Sequence, residues 1–162
     1  MDLFRRRHAR VRREGGPEQP PRQPRYDAQL VRADGQLLCD VEVAGTARTR
    51  GRGLLGRTSL EGALWLRPCR SVHTLGMSMT IDVAFLDRDC RVVDALTLAP
   101  GRFPLPRWRA RSVLEVAEGR LAEWGVAVGD ALAVIAPGEP AAPGTTPGRR
   151  SGRRRGPRSP RR

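Results

Sequence analysis

Leu75-Gly76-Met77-Ser78-Met79-Thr80-Ile81-Asp82-Val83-Ala84-Phe85-Leu86 is the stretch on which the fold turns. Its odd positions, Leu75, Met77, Met79, Ile81, Val83 and Phe85, are all large and apolar. The even ones, Gly76, Ser78, Thr80, Asp82 and Ala84, are small or polar until Leu86. Successive side chains of a strand point to opposite faces, so this period of two predicts one long β-strand with one face buried and the other not. Gly76 is where so long a strand would bend.

Working outward, Asp87-Arg88-Asp89-Cys90 reads as a turn and Arg91–Leu98 as the returning strand. Pro100, Pro104 and Pro106 make Ala99–Arg109 a loop, and Ser112–Val116 is a further strand. Gly119–Trp124 has room for a short helix that Gly125 stops. Val128-Gly129-Asp130 turns into a last strand, Ala131–Ala136. Upstream, Ala63–Leu66 is a short strand ended by Pro68, and Ala28–Ala33 and Leu37–Ala44 form a hairpin around Asp34-Gly35. A second short helix near Thr46–Leu55 is weakened by its glycines. Many short strands with brief helices predict a mainly β fold, a small single-domain β-sandwich or barrel with one or two short helices.

Charge divides the 162 residues further. All 30 basic residues are arginine, lysine and asparagine are absent, and the net charge is +13. A GC-rich codon supply accounts for much of that excess without any function. Residues 1–25 carry eight arginines against three acids, and residues 137–162 carry eight against Glu139 alone. The span 26–136 is left almost neutral. The two ends, rich in Pro, Gly and Arg, hold too little apolar surface to offset the entropy of ordering and are expected to be disordered tails around a 26–136 domain. Weak, non-specific nucleic-acid binding through these tails is one partner they suggest, although no aromatic residue in 137–162 could stack on bases. No apolar run approaches the ~20 residues of a membrane span, and Met1–Arg13 lacks the apolar core of a signal peptide. A cytoplasmic protein with no membrane partner is expected. Cys39, Cys69 and Cys90 are odd in number and far apart, which excludes a disulfide-stapled miniprotein.

Three groups of residues carry a family resemblance. Arg52-Gly53-Leu54-Leu55-Gly56-Arg57 comes first. Val72-His73-Thr74-Leu75-Gly76-Met77 follows, with Ile81–Asp87. Val113-Leu114-Glu115-Val116 with Gly119 and Val128-Gly129-Asp130 closes the set. In this order they resemble the signatures of the bacterial and archaeal domain-of-unknown-function family 192, along nearly the whole of 28–136. The resemblance implies a small, mostly β domain and no particular activity. Two departures stand out: Ala117-Glu118 precede Gly119 where the family more often has a Leu-Pro-Ala-Gly-like turn, and Cys90 occupies a usual turn-glycine position.

Gly51-x-Gly53-x-x-Gly56 fits a dinucleotide-binding expression. That chemistry needs a strand before it, a long helix after it and a βαβ unit around it, and no alternating βα pattern is evident. Cys69, His73, Met77 and Met79 are soft-metal ligand types of one parity, but the face they would share is the apolar one, where methionine fills core volume. No metal and no cofactor is expected. Cys69, His73 and Asp82 could serve as nucleophile, base and orienter, which keeps a small cytoplasmic enzyme using Cys69 and His73 as the alternative. Asp82, however, points away from His73 on a regular strand. The favoured expectation is a non-enzymatic binding or accessory module. Its cleft is formed by His73, Thr74, Asp82, Arg107 and Trp108, with the Arg102–Arg109 loop, which also holds Phe103, covering a polar spot for a small polar ligand or a peptide. The competing expectation is that Phe103 and Trp108 plug the end of a barrel.

Overall fold

The computed structural model describes residues 25–139. The expected tails therefore lie almost wholly outside the described residues, and with them the expected nucleic-acid contacts. The elements are β1 (Ala28–Arg32), β2 (Leu37–Ala44), α1 (Ala47–Arg52), β3 (Ala63–Leu66), β4 (Ile81–Leu86), β5 (Val92–Leu98), β6 (Ser112–Ala117), α2 (Arg120–Glu123) and β7 (Leu132–Ile135). The fold is mainly β, as expected, and among the described residues no helix is long and apolar enough to cross a membrane.

The seven strands form one sheet in the order β5-β4-β6-β3-β2-β1-β7. All neighbours are antiparallel except β2 and β3, which run parallel. A parallel pair needs a crossover, and α1 lies in it. One short βαβ unit is thus present where no βα alternation was expected. Thr46 caps α1: its hydroxyl accepts from Thr49 N–H (3.1 Å), while Thr49 Oγ1 accepts from Thr46 N–H (3.1 Å). The sheet curls until its two edges meet at one end. There Arg91 bridges Ala131, Val92 N–H donates to the Asp130 carbonyl (2.9 Å) and Leu132 N–H donates to the Cys90 carbonyl (3.0 Å). The result is a half-closed barrel.

Apolar side chains cover both faces of the curled sheet. Ala63, Trp65, Ala84, Leu86, Leu114 and Val116 belong to one core cluster. Leu64, Leu66, Ile81, Val83, Phe85 and Val113 belong to the other. This corrects the long one-sided strand expected over Leu75–Leu86. β4 is only Ile81–Leu86, and all six residues are buried, because β5 and β6 flank it and a core lies on each side. The preceding segment leaves the sheet at a turn with Gly76 at φ 76°, and Leu75 is 51% exposed. The alternation there is real, but its apolar positions do not all enter one core.

The local signals elsewhere hold. β1, β2, β3, β6, α2 and β7 fall within a residue or two of the expected spans. Cys90 adopts φ 55°, the left-handed turn conformation that glycine takes more readily. Gly62 sits where β3 approaches β2: an added Cβ would lie 2.7 Å from Tyr26 Cε1 and closer still to the Asp40 carbonyl oxygen. Gly62→Ala is therefore expected to cost about 1–3 kcal/mol through overpacking, read as a lower urea midpoint with an unchanged slope.

Candidate functional site

A recess of about 250 Å³ opens on the face of the sheet that carries Val83 and Val113. Its floor is Glu115 in the middle of β6. Arg50–Leu55, from the end of α1 and the turn after it, form one wall; Cys69, Ser71, Val72 and His73 form the other, with Leu66 and Met77 completing it. The crossover explains this placement, since α1 carries the chain from β2 to β3, the strand beside β6. Gly53 closes α1 at φ 46°, and Arg50 braces it by donating from Nη1 to the Gly45 carbonyl (2.7 Å).

The second wall is held from behind. Residues 69–74 run beside 101–111. Cys69 N–H donates to the Arg111 carbonyl (3.0 Å), Arg107 N–H to the Arg70 carbonyl (2.8 Å) and Thr74 N–H to the Arg102 carbonyl (2.8 Å). Thr74 is fully buried and latches the two segments. Its hydroxyl donates to the Ala99 carbonyl (2.6 Å) and accepts from Arg102 N–H (2.8 Å). Arg107 adds a bond from Nε to Asp94 Oδ2 (2.5 Å) and lies over the Phe85 ring at 5.2 Å.

Glu115 faces Leu64 on β3 and Val83 on β4. Only 4% of it is exposed, and its Oε2 has no hydrogen-bond partner. Burial pushes its carboxyl up to about 7, against a smaller opposing pull from Arg57, whose guanidinium is engaged by Glu42 at 2.7 Å. Ser71 Oγ is likewise buried without a partner. Cys69 donates its S–H to the Ser71 carbonyl (3.0 Å), and burial raises its pKa above the ordinary thiol value.

Of the five expected ligand-binding residues, His73 borders the recess, with its ring 6.2 Å from that of Phe103. Thr74 and Arg107 stand behind the wall. Asp82 lies on the opposite face of the sheet, where its Oδ1 accepts from Thr97 Oγ1 (2.7 Å) and its Oδ2 from Leu121 N–H (3.3 Å). Trp108 is 75% exposed and Phe103 66%, so neither plugs the barrel. The Arg102–Arg109 loop buttresses the Cys69–His73 segment and does not line the recess. Cys69, His73 and Met77 of the soft-ligand set border the recess but Met79 does not, and among the described residues no three His, Cys, Asp or Glu side chains converge as metal ligands. The Gly51–Gly56 glycines lie at the end of α1, away from its N-terminus, which is the wrong end for a pyrophosphate.

Glu115, Ser71, Arg50 and Arg52 were missed. The available signal was Glu115 itself, a lone acid inside the apolar run Val113–Val116. A larger surface depression of about 470 Å³, lined by Asp87, Arg88, Asp89, Arg109 and Arg111, offers no buried polar group, and its opposite charges stand side by side.

Thr74→Val should strand the Arg102 N–H and cost about 1–3 kcal/mol, measured by chemical denaturation. Burial raises the pKa of all three thiols, that of Cys39 to about 12. A disulfide reagent at pH 8 should accordingly label the native protein at least ~10-fold more slowly than the unfolded chain.

Comparison with known proteins agrees with this architecture. A protein from Pyrococcus furiosus, "UPF0127 protein PF1050", is 42% identical over 102 residues, spanning 60% of this chain and 88% of its own length. "UPF0127 protein PH1112" from Pyrococcus horikoshii is 34% identical over 85 residues, spanning 49% of this chain and 74% of its own. The crystal structure of a protein of unknown function from Novosphingobium aromaticivorans superposes with a TM-score of 0.57 at 23% identity, covering 66% of this chain and 83% of that one, a likeness of fold alone. The model of the family DUF192, described as "Uncharacterized ACR, COG1430", matches residues 29–134, and the chain belongs to that family.

Proposed function

We propose that the domain is a non-enzymatic binding module that takes a small polar ligand in the recess beside His73. The observation carrying this reading is the pair of buried, unpartnered oxygens, Glu115 Oε2 and Ser71 Oγ, at a concave site. A buried polar atom without a partner costs roughly 1–3 kcal/mol, and native proteins keep few of them. A ligand that donates a hydrogen bond to Glu115 would remove that cost. Leu54, Leu55, Leu66, Val72 and Met77 supply apolar walls, while Arg50, Arg52 and His73 supply polar groups around them, the mixture typical of small-molecule sites.

Thiol chemistry is the weaker reading. A catalytic cysteine needs a stabilised thiolate, whereas Cys69 is driven toward the thiol by its burial and its S–H is engaged by the Ser71 carbonyl. Asp82, the third member of the sequence-derived triad, is on the other face of the sheet.

A panel of small polar metabolites screened by ligand-observed NMR tests the proposal. A hit should weaken about tenfold in both His73→Ala and Glu115→Gln and be unchanged in Trp108→Ala, which stands away from the recess. Hits indifferent to His73 and Glu115, or displaced by Trp108→Ala alone, would contradict the assignment.

A further inference from the structure

The loop between β5 and β6 combines two properties that rarely coexist. Its backbone is held at several points, by the Thr74 latch, by Gly101 N–H donating to the Thr74 carbonyl (2.9 Å), and by Arg107 N–H donating to the Arg70 carbonyl. Yet Phe103, Leu105 and Trp108 on it are 66%, 79% and 75% exposed. A chain that pins a loop normally packs the large apolar side chains it carries. Here they are presented to solvent, and Leu75, half exposed on the turn after Thr74, adds a fourth from the adjoining segment. Several large apolar side chains held out on one pinned loop are a candidate interaction surface.

Charge narrows the partner. Between Asp94 and Glu115 there is no acidic residue, while Arg102, Arg107, Arg109 and Arg111 all fall in that interval. Asp94 is paired with Arg107 and Glu115 is buried; Asp87 and Asp89 share a depression with Arg109, but Arg88 and Arg111 line it as well, so the exposed charge around the loop stays positive. Apolar tips beside a net-positive surface match the layering of an anionic bilayer, where acyl chains lie beneath phosphates. A bound peptide would want a groove. Neither of the two recesses described above is lined by Phe103, Leu105 or Trp108.

We infer that this loop is a lipid-docking surface, with Phe103, Leu105 and Trp108 entering the interfacial layer of an anionic membrane while Arg102 and Arg109 meet its headgroup phosphates. The expectation of no membrane partner rested on the lack of a spanning segment, and peripheral docking needs none. The inference does not rest on the ligand recess, which Phe103, Leu105 and Trp108 do not line.

Sedimentation of the full chain with vesicles tests it, using phosphatidylcholine alone and phosphatidylcholine with about 30% phosphatidylglycerol. The full chain should bind the anionic vesicles and bind the neutral ones weakly. The triple variant F103S/L105S/W108S should lose at least ~10-fold in binding while keeping its circular dichroism, because the three side chains stand in solvent. It retains both arginine-rich ends, so the comparison separates the loop from simple charge attraction. Tryptophan emission should shift to the blue on binding in the wild type and fail to shift in W108F. Equal binding by the triple variant and the wild type would overturn the inference. So would a wild type that ignores anionic vesicles, including one that ignores them yet binds a soluble acidic peptide such as poly-glutamate.

Discussion

β6 lies between β3 and β4 near the centre of a sheet that is covered on both faces, so the side chains in its middle are almost wholly buried. That constraint makes Glu115 the most consequential residue of the domain. Its neighbours across the ladder are Leu64 and Val83, and the guanidinium that acts on it, Arg57, is engaged by Glu42. A carboxyl so placed favours its neutral form. It binds a proton more tightly in the folded chain than in the unfolded one. Its contribution to stability is therefore most favourable below the ordinary carboxylate range and is lost progressively as pH rises toward about 7. A fold that keeps an acid there gives up stability it could regain with a leucine, and a site that uses the acid is the physical reason we advance.

The recess and the exposed loop are parts of one construction. Cys69–His73 forms a wall of the first only because 101–111 lies behind it, joined by backbone bonds and the Thr74 hydroxyl. Arg107 ties the same loop to β5 through Asp94 and to β4 through the Phe85 ring. The loop can thus hold apolar side chains out in solvent without losing its shape.

Much of the fold was legible because its signals are local. Asp34-Gly35 marks the first hairpin, Gly119 and Gly125 bracket α2, and the apolar run Ala63–Leu66 is short enough to be a strand. The Leu75–Leu86 stretch misled because period two records alternation without saying how many faces are covered. Ala84 and Leu86 belong to one core and Val83 and Phe85 to the other, while Leu75 belongs to neither. The candidate site was less legible still. His73 borders the recess, but grouping it with Thr74, Asp82, Arg107 and Trp108 presumed that the Arg102–Arg109 loop covers the histidine, whereas the loop lies behind the Cys69–His73 segment and Asp82 lies on the opposite face of the sheet. Bringing Arg50–Leu55 over β6 depends on a parallel β2–β3 pair that only tertiary assembly defines. Parity set Asp82 apart from His73 on the assumption of one regular strand, but the strand begins only at Ile81, so their separation follows from the assembled sheet and not from that alternation.

The proposed site depends on Glu115 staying buried and unpaired in the centre of the sheet. A carbon-detected NMR titration of its side-chain carboxyl in the folded protein measures this directly. The structure predicts a midpoint near 7. A midpoint in the ordinary range of an exposed glutamate, about 4.3, would mean that the carboxyl is solvated or paired in the folded chain, and the buried, unpartnered acid on which the proposed site rests would be absent.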